Sequence, residues 1–379
     1  MDYKKLALRK HKDLRGKIYL SLKDPLDSQE KLSTYYTPGV AAVSSFVAEH
    51  PEQAREYTWL NNNVAVISDG SAVLGLGDIG PKGALPVMEG KAMLFKHFAD
   101  IDAVPIILDV HSEDEIVAAV KAIAPSFGGI NLEDIAAPQC FVIEDRLKKE
   151  LSMPVFHDDQ HGTAIVVLAG LLNALRIVDK DLNDCRVTFS GVGAAGVAIM
   201  KLLKLYAPRV IIQAVDSKGT INKKRTDLNA SKQKLVDENV IVTQNDGNLA
   251  NAMENADIFI GVSQGNLVKP EMIKTMARDP IIFAMANPEP EILPDVAHKA
   301  GAAVVATGRS DFPNQVNNAL AFPGIFRGAL DNNVRNITDR HKIAAAKAIA
   351  SLVADPSPGT IIPSVLDDRL VPEIAKVII

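Results

Sequence analysis

Carboxylates pair up along the middle of the chain, at Glu133-Asp134, Glu144-Asp145 and Asp158-Asp159. Three carboxylates with open coordination positions suit Mg²⁺ or Mn²⁺, hard ions that prefer oxygen. Flanking residues separate the pairs. Glu133-Asp134 follows the apolar run Gly128-Gly-Ile-Asn-Leu132, and adjacent acids at a strand end can converge on one ion. Asp158-Asp159 sits in Phe156-His-Asp-Asp-Gln-His-Gly-Thr163. Glu144-Asp145 has Arg146, Lys148 and Lys149 beside it, the composition of a solvated helix face. Glu133, Asp134 and Asp159 are therefore the preferred ligands, although acid pairs are also common on surfaces that hold no ion. His157 and His161 have the i, i+4 spacing of a zinc site on a helix. Gly162, a loop-like context and the lack of a third nitrogen or sulfur ligand argue against zinc.

Proton transfer needs a base and an acid. Lys91 lies in the mostly apolar Met88-Glu-Gly-Lys-Ala-Met-Leu-Phe95, where partial burial would lower its pKa toward that of a base. The same segment also fits a lysine reaching from a helix into water. Tyr36 precedes the turn signal Thr37-Pro38-Gly39; its hydroxyl could donate a proton, though most tyrosines only pack.

A second kind of chemistry is written in Gly191-Val192-Gly193-Ala194-Ala195-Gly196, between Arg186-Val-Thr-Phe-Ser190 and an apolar helical run over 197–206. Strand, glycine turn and helix in that order make a dinucleotide pyrophosphate site, with the helix N-terminus facing the phosphates. Asp216 ends the next apolar run, 20 residues after Gly196, where a carboxylate can hold the adenosine ribose. Such an acid favours NAD by repelling a 2′-phosphate. Lys218, Lys223, Lys224 and Arg225 follow, and one of them within reach would admit NADP. A second glycine pattern, Gly75-Leu-Gly77-Asp-Ile-Gly80, is followed by Pro81 and Gly83, which spoil a helix interior, so it reads as a loop of the catalytic site or a plain structural loop.

These groups need a scaffold with room for two cores. The chain has 379 residues, 47% hydrophobic and 23% charged, as expected of a soluble globular protein. A net charge of −5 gives no general attraction to nucleic acid or anionic membrane. Two cysteines, Cys140 and Cys185, make no disulfide framework and suit a reducing cytoplasm. No apolar stretch is expected to reach the length of a membrane span, and Met1-Asp-Tyr-Lys-Lys5 does not begin a signal region. In the first block Val64-Ala-Val-Ile-Ser68 and Val104-Pro-Ile-Ile-Leu108 read as buried strands, with 128–132 as a third. From 162–175 onward, helical periods alternate with apolar runs at 186–190, 210–215, 257–262, 281–285 and 302–306. That alternation predicts an α/β fold, with a C-terminal Rossmann-like doubly wound parallel sheet and a smaller N-terminal α/β domain. The expected division is 1–160 and 161–379, closing with an alanine-rich helix over 341–353, a proline-rich loop at 355–363 and a last short helix.

Several motifs run in the order of one known family: Tyr35-Tyr-Thr-Pro-Gly-Val40, Ser68-Asp-Gly-Ser-Ala72 running on to Gly80, Glu89-Gly-Lys91, Asn131-Leu-Glu-Asp134, Phe156-His-Asp-Asp-Gln-His-Gly-Thr-Ala164, the turn at 191–196, Ala286-Asn-Pro288 and Asn317-Asn-Ala-Leu-Ala-Phe-Pro-Gly324. On these the chain resembles malic enzyme in its short bacterial form, without the fused acyltransferase-like region of the long forms. The resemblance implies oxidative decarboxylation of (S)-malate to pyruvate and CO₂ with reduction of NAD(P), NAD being favoured. It makes Tyr36 the general acid and Lys91 the general base, oriented by Asp158. It assigns Glu133, Asp134 and Asp159 to Mg²⁺ or Mn²⁺, and Asn287 and Asn318 to substrate and the nicotinamide end of the cofactor. It also implies a homodimer, with the segment bearing Tyr36 completing the partner's site. One departure stands out: larger members carry an arginine for a substrate carboxylate where this chain has Ala72. Asn287, Asn318 or a backbone amide are the alternatives for that role. An oxaloacetate decarboxylase without net redox would use the same residues; a nucleotide-binding sensor would not need the acids.

Overall fold

Residues 3–73, 76–243 and 246–379 are described by a computed structural model of the chain. Gly75, in the second glycine pattern, lies outside them. The chain opens with α1 (Tyr3–Leu14), α2 (Gln29–Tyr35) and α3 (Val40–Glu49), none of which buries a residue. The apolar runs that follow form β1 (Asn63–Ser68), β2 (Asp102–Ile107), β3 (Ile130–Leu132) and β4 (Val155–His157), a parallel sheet of order β2-β1-β3-β4. Every residue of β1 is buried, as a central parallel strand requires. Its alternate side chains go to opposite cores: Ala65 and Ile67 pack with Ile116, Val120, Ile143 and Leu147, whereas Val64 and Val66 join Met88 and Phe95. β4 was not read from the sequence, because three residues including a histidine carry no strand period.

Three helices cover this sheet: α4 (Pro81–Ala99), α5 (Glu113–Ile123) and α6 (Gln139–Glu150). The loop reading after Gly80 is corrected at one point. Pro81 starts a helix directly, because at the first helical position its fixed φ helps and its missing N–H costs nothing.

Helix α7 (Asp158–Val178) begins at the end of β4 rather than at 162, which lengthens it to 21 residues. It is therefore long and apolar enough to cross a membrane, contrary to expectation, yet 67% of its most apolar stretch is buried inside the fold. It packs on α8 (Ala194–Tyr206) and on α10 (Asp339–Ser351), as the shaft of the main core. Between α9 (Phe322–Asp331) and α11 (Leu370–Ala375) a further contact closes the C-terminal side.

The second sheet contains β5 (Arg186–Ser190), β6 (Ile211–Asp216), β7 (Gly219–Thr220), β8 (Ile258–Gly261), β9 (Ile281–Ala284) and β10 (Val304–Thr307). Their order is β10-β9-β8-β5-β6-β7, parallel except for the short antiparallel edge β7. This is the expected α/β architecture, with strands within two residues of the apolar runs. The two halves are tied by Arg327, which donates to Asn62 Oδ1 at 2.7 Å, and by Arg55, which donates to the Leu330 carbonyl at 2.9 Å. Phe95 meets Phe322 edge-on at 4.6 Å between centroids.

Candidate active site

Each sheet has a point where strand order reverses. β1 lies between β2 and β3, and β5 lies between β6 and β8. At such points the loops leaving the carboxyl ends of adjacent strands diverge and open a crevice. The acids sit at the first. Glu133 and Asp134 leave β3, and Asp158 and Asp159 leave β4 as the first turn of α7. One carboxylate oxygen from each of Glu133, Asp134 and Asp159 lies within 4.8 Å of the others. The loop is built to hold them. Asp134 has a φ of +53° and donates its backbone N–H to Asp159 Oδ2 at 2.7 Å. Asn131 donates to Glu133 Oε2 at 2.9 Å, and the Ala72 N–H donates to the Asp134 carbonyl at 3.0 Å.

Lys91 is on the buried face of α4, with Met88, Ala92 and Phe95. Its Nζ lies 2.6 Å from Asp158 Oδ2 and 2.8 Å from Glu133 Oε1, and 4.3 Å from the centroid of the Phe322 ring. It does not reach into water. Burial alone would lower its pKa, but Asp158, Glu133 and Asp159 outweigh burial and hold the ammonium above its ordinary value. The lowered pKa expected from an apolar segment is thus reversed by three carboxylates distant in sequence. Burial pushes Asp158 up to about 7, against the pull of Lys91. Glu133 and Asp159 also rise, first through burial; Glu133 rises further because Asp159 repels it. Three crowded carboxylates, all-oxygen donors with one ammonium against them, fit a hard divalent cation.

Glu144, read from sequence as part of a solvated face, is instead buried. Its Oε1 accepts the His157 backbone N–H at 3.1 Å and lies 2.6 Å from Lys148 Nζ, and its Oε2 meets His161 Nε2 at 2.8 Å. Only Asp145 of that pair is exposed. Lys148 turns to Glu144 while Arg146 pairs with Asp114, and Cys140, Ile143, Glu144 and Leu147 form the buried stripe of α6, a period visible in the sequence. His161 is engaged by Glu144, and burial lowers its pKa to about 4. Its ring thus ties α6 to α7.

The second crevice carries the glycine turn. Gly191 has a φ of +105°, and a Cβ there would lie 2.9 Å from the Val262 carbonyl at the end of β8. On Gly196 a Cβ would come within 2.3 Å of the Gly191 carbonyl, so helix and strand approach only because it is absent. On Gly193 it would meet nothing within 4 Å, which leaves that backbone open to a bound group. Gly193 is the N-cap of α8 without a side-chain cap, so the first N–H groups remain for phosphate oxygens. These features fit a dinucleotide. Val192 is buried, and Ala194 and Ala195 are half-buried; Ala194 packs on the core of the first sheet, which brings the turn against the acid-bearing half. Asp216 ends β6, paired with Arg225 and Lys232.

The remaining candidates are placed differently. Asn318 is half-buried, with its Cβ 3.1 Å from where a Gly162 Cβ would lie, one helical turn from Asp158. Asn287 is exposed beyond β9, beside Gly308. Glu291, unremarked in the sequence, is buried beneath this rim and accepts the Ser263 N–H at 3.1 Å and the Ala286 N–H at 3.0 Å. Tyr36, at the end of α2, is 67% exposed, and the charged partners of Lys91 are Asp158 and Glu133.

An acid cluster at the mouth of one parallel sheet, against a glycine turn at the mouth of another, defines an α/β oxidoreductase of the nicotinamide-nucleotide class. Comparison narrows the class. Residues 15–148 match the family model for the malic enzyme N-terminal domain, and residues 160–377 match that for the malic enzyme NAD binding domain. A bifunctional malic/malolactic enzyme of Bacillus subtilis is 52% identical over 380 residues, 100% of this chain and 92% of the relative. An NAD-dependent malic enzyme of Geobacillus stearothermophilus is 54% identical over 369 residues, 96% of this chain and 76% of the relative. The solved structure of the NAD-dependent malic enzyme from Thermotoga maritima superposes with a TM-score of 0.94 at 51% identity, covering 98% of each chain. The chain belongs to the malic enzyme family.

Proposed function

We propose that the chain oxidises (S)-malate and decarboxylates it to pyruvate and CO₂ while reducing NAD(P). The observation that carries this reading is Lys91, clamped at 2.6 Å by Asp158 and 2.8 Å by Glu133 beside the acid cluster. A clamped lysine has one direction left for its lone pair once a proton is passed on, toward the space above the acids. Lys91 first passes a proton to Asp158 across their 2.6 Å contact, and the neutral Nζ, held in line by that contact, then takes the proton of the malate C2 hydroxyl as hydride leaves C2. Tyr36 then donates its hydroxyl proton to C3 of enolpyruvate. Glu133, Asp134 and Asp159 hold Mg²⁺ or Mn²⁺, which when bound supplies Lewis acidity for the charge left by loss of CO₂. The turn at 191–196 holds the dinucleotide pyrophosphate, Asp216 faces the adenosine ribose, and Asn287 and Asn318 line the nicotinamide and substrate end. In place of the missing arginine at Ala72, Asn318 is the residue best supported to hold a substrate carboxylate, being near Asp158.

In this reading residues 1–160 form the substrate and metal half and residues 161–379 the nucleotide half. The working form is a cytoplasmic homodimer in which Tyr36 of one subunit serves the site of the other. Support comes from the N-terminal helices, which bury nothing, and from the apolar residues exposed beside them: Tyr19 at 89%, Leu20 at 82% and Leu22 at 75%. The two buried free cysteines suit a reducing compartment. The test is reduction of nicotinamide by malate, with NAD or NADP and Mg²⁺ or Mn²⁺. No malate-linked rise in reduced nucleotide under any of these combinations rejects the proposal.

A further inference from the structure

Two neighbouring loops leave the carboxyl ends of β8 and β9. The parallel ladder between these strands ends on the Met285 N–H, which donates to the Gly261 carbonyl at 3.0 Å. Beyond that point the Glu291 side chain continues it: Oε1 accepts the Ser263 N–H at 3.1 Å and Oε2 accepts the Ala286 N–H at 3.0 Å. Glu291 is fully buried. Burial pushes its carboxyl up, and the backbone N–H groups of Ala286 and Ser263 draw it back down. A carboxylate buried against N–H groups, with no ion pair to a lysine or arginine among the described residues, is costly to keep and calls for a reason. The backbone makes room for it, since a Cβ on Gly261 would fall 2.3 Å from Glu291 Cδ. Both residues it holds border the nucleotide crevice. Ser263 Cβ is 3.0 Å from where a Gly191 Cβ would lie, and Ser263 Oγ is 2.8 Å from Ser190 Oγ. Ala286 directly precedes Asn287.

We propose that Glu291 is a positioning residue for hydride transfer: by holding Ser263 and Ala286 at a fixed separation, it sets the width of the crevice in which the nicotinamide lies over malate C2. A carboxylate suits this task because both of its oxygens accept, whereas an amide of the same shape turns its NH₂ toward one of the two N–H groups. An apolar side chain leaves both N–H groups unmet. Further out the loops are joined without the carboxylate. The Asn266 N–H donates to the Pro290 carbonyl at 2.9 Å, and the Val268 N–H donates to the Glu291 carbonyl at 3.0 Å. The side chain therefore governs the inner edge of the loops and not their attachment. Ser263 keeps a second hold through Ser190, so the loss of one acceptor falls on Ala286 and on the Asn287 that follows. The inference rests on the proposed oxidation of malate and on the reading of 191–196 as the pyrophosphate turn.

Glu291→Gln tests this in the whole protein. Per folded molecule, kcat for malate-linked reduction of nicotinamide should fall by about tenfold or more, since a misplacement of about 1 Å can cost about 100-fold. KM for malate and the calorimetric affinities for Mn²⁺ and for ADP-ribose, which lacks nicotinamide, should each change less than about threefold. The isotope effect with malate deuterated at C2 should be no smaller than in the unaltered protein, because hydride transfer is the step that slows. Glu291→Asp keeps the charge but falls one methylene short; it should show the same split, and it takes the place of the glutamine variant if that one does not fold. In the unaltered protein the Ser263 and Ala286 amides should exchange hydrogen more than about 100-fold slower than in an unstructured chain, and faster exchange of either overturns the inference with no variant needed. A fall in kcat of less than about tenfold overturns it, and so does a change beyond about threefold in KM, Mn²⁺ affinity or ADP-ribose affinity, the mark of a general loosening. A smaller isotope effect overturns it too. Absence of malate oxidation in the unaltered protein overturns the proposed function, and this inference with it.

Discussion

Lys91 is charged at rest because of its neighbours and not in spite of its burial. Replacing it with methionine keeps the shape and removes the proton acceptor. Turnover of malate should fall by about 10²–10⁴-fold, the usual share of a general base, while Mn²⁺ still binds. A steady-state assay beside a Mn²⁺ titration followed by electron spin resonance checks both halves. Asp159→Asn should do the reverse in the titration, weakening Mn²⁺ by on the order of 100-fold, since losing a ligand costs at least as much as losing a ligand's supporting partner. The two cysteines give a prediction with a definite sign. Burial pushes both thiols up to about 12, so at pH 8 they are neutral. A thiol reagent should label neither at appreciable rate until denaturant is added, and rapid labelling of the native protein would contradict their placement. At this scale the sequence was legible where residue types are rare in combination. The acids Glu133, Asp134 and Asp159 were picked from spacing and flanks, and they lie within 4.8 Å of one another. Glu144 was misread because its charged sequence neighbours were given more weight than its helical period.

Among the elements, α7 matters most, because it carries Asp158 and Asp159 on its first turn and the main core on its shaft. Gly162 sits one turn in. Alanine there would gain about 1 kcal/mol of helix propensity. Its Cβ would also fall 1.9 Å from Asp158 Oδ1, far inside contact distance. The clash wins at the site even if the helix survives. Gly162→Ala should therefore keep a near-native circular dichroism spectrum and lose at least about tenfold in kcat, because Asp158 is pushed off Lys91. Glu144→Ala would leave Lys148 and the His157 N–H without their buried acceptor. Urea unfolding should register a loss of about 3 kcal/mol. The elements themselves were legible in proportion to their length. Parallel strands of four to six residues, mostly apolar, announce themselves; β4 has three residues, one a histidine, and β7 two, too few for any period. The start of α7 was hidden by its polar first turn, which carries no apolar helical period.

At the scale of the whole molecule, the N-terminal helices have no core of their own here. A second copy of the chain is the occupant proposed for them, and light scattering after size exclusion should report twice the chain mass. Mixing inactive Tyr36→Phe and Lys91→Ala proteins, with subunit exchange, tests whether sites are shared. Random pairing should restore about one quarter of full activity, since half the dimers are mixed and each has one intact site. No recovery in mixed dimers counts against sharing. The sequence does not show where Tyr36 belongs, because a residue proposed to serve another chain would leave no trace in its own periodicity. The doubly wound architecture was legible because alternation of strand and helix is a property of the whole chain rather than of any one segment. The long buried shaft of α7 has a consequence for how the protein is made. Residues 158–178 leave the ribosome before the strands at 186–307 that will cover them. Until those strands arrive, a greasy rod of 21 residues stands bare at the growing end, and such surface is where nascent chains clump. The first half can lay down its own sheet early, yet the acids riding on that rod have no fixed position until the later half is synthesised, so the chemistry of the early part waits on the birth of the late one.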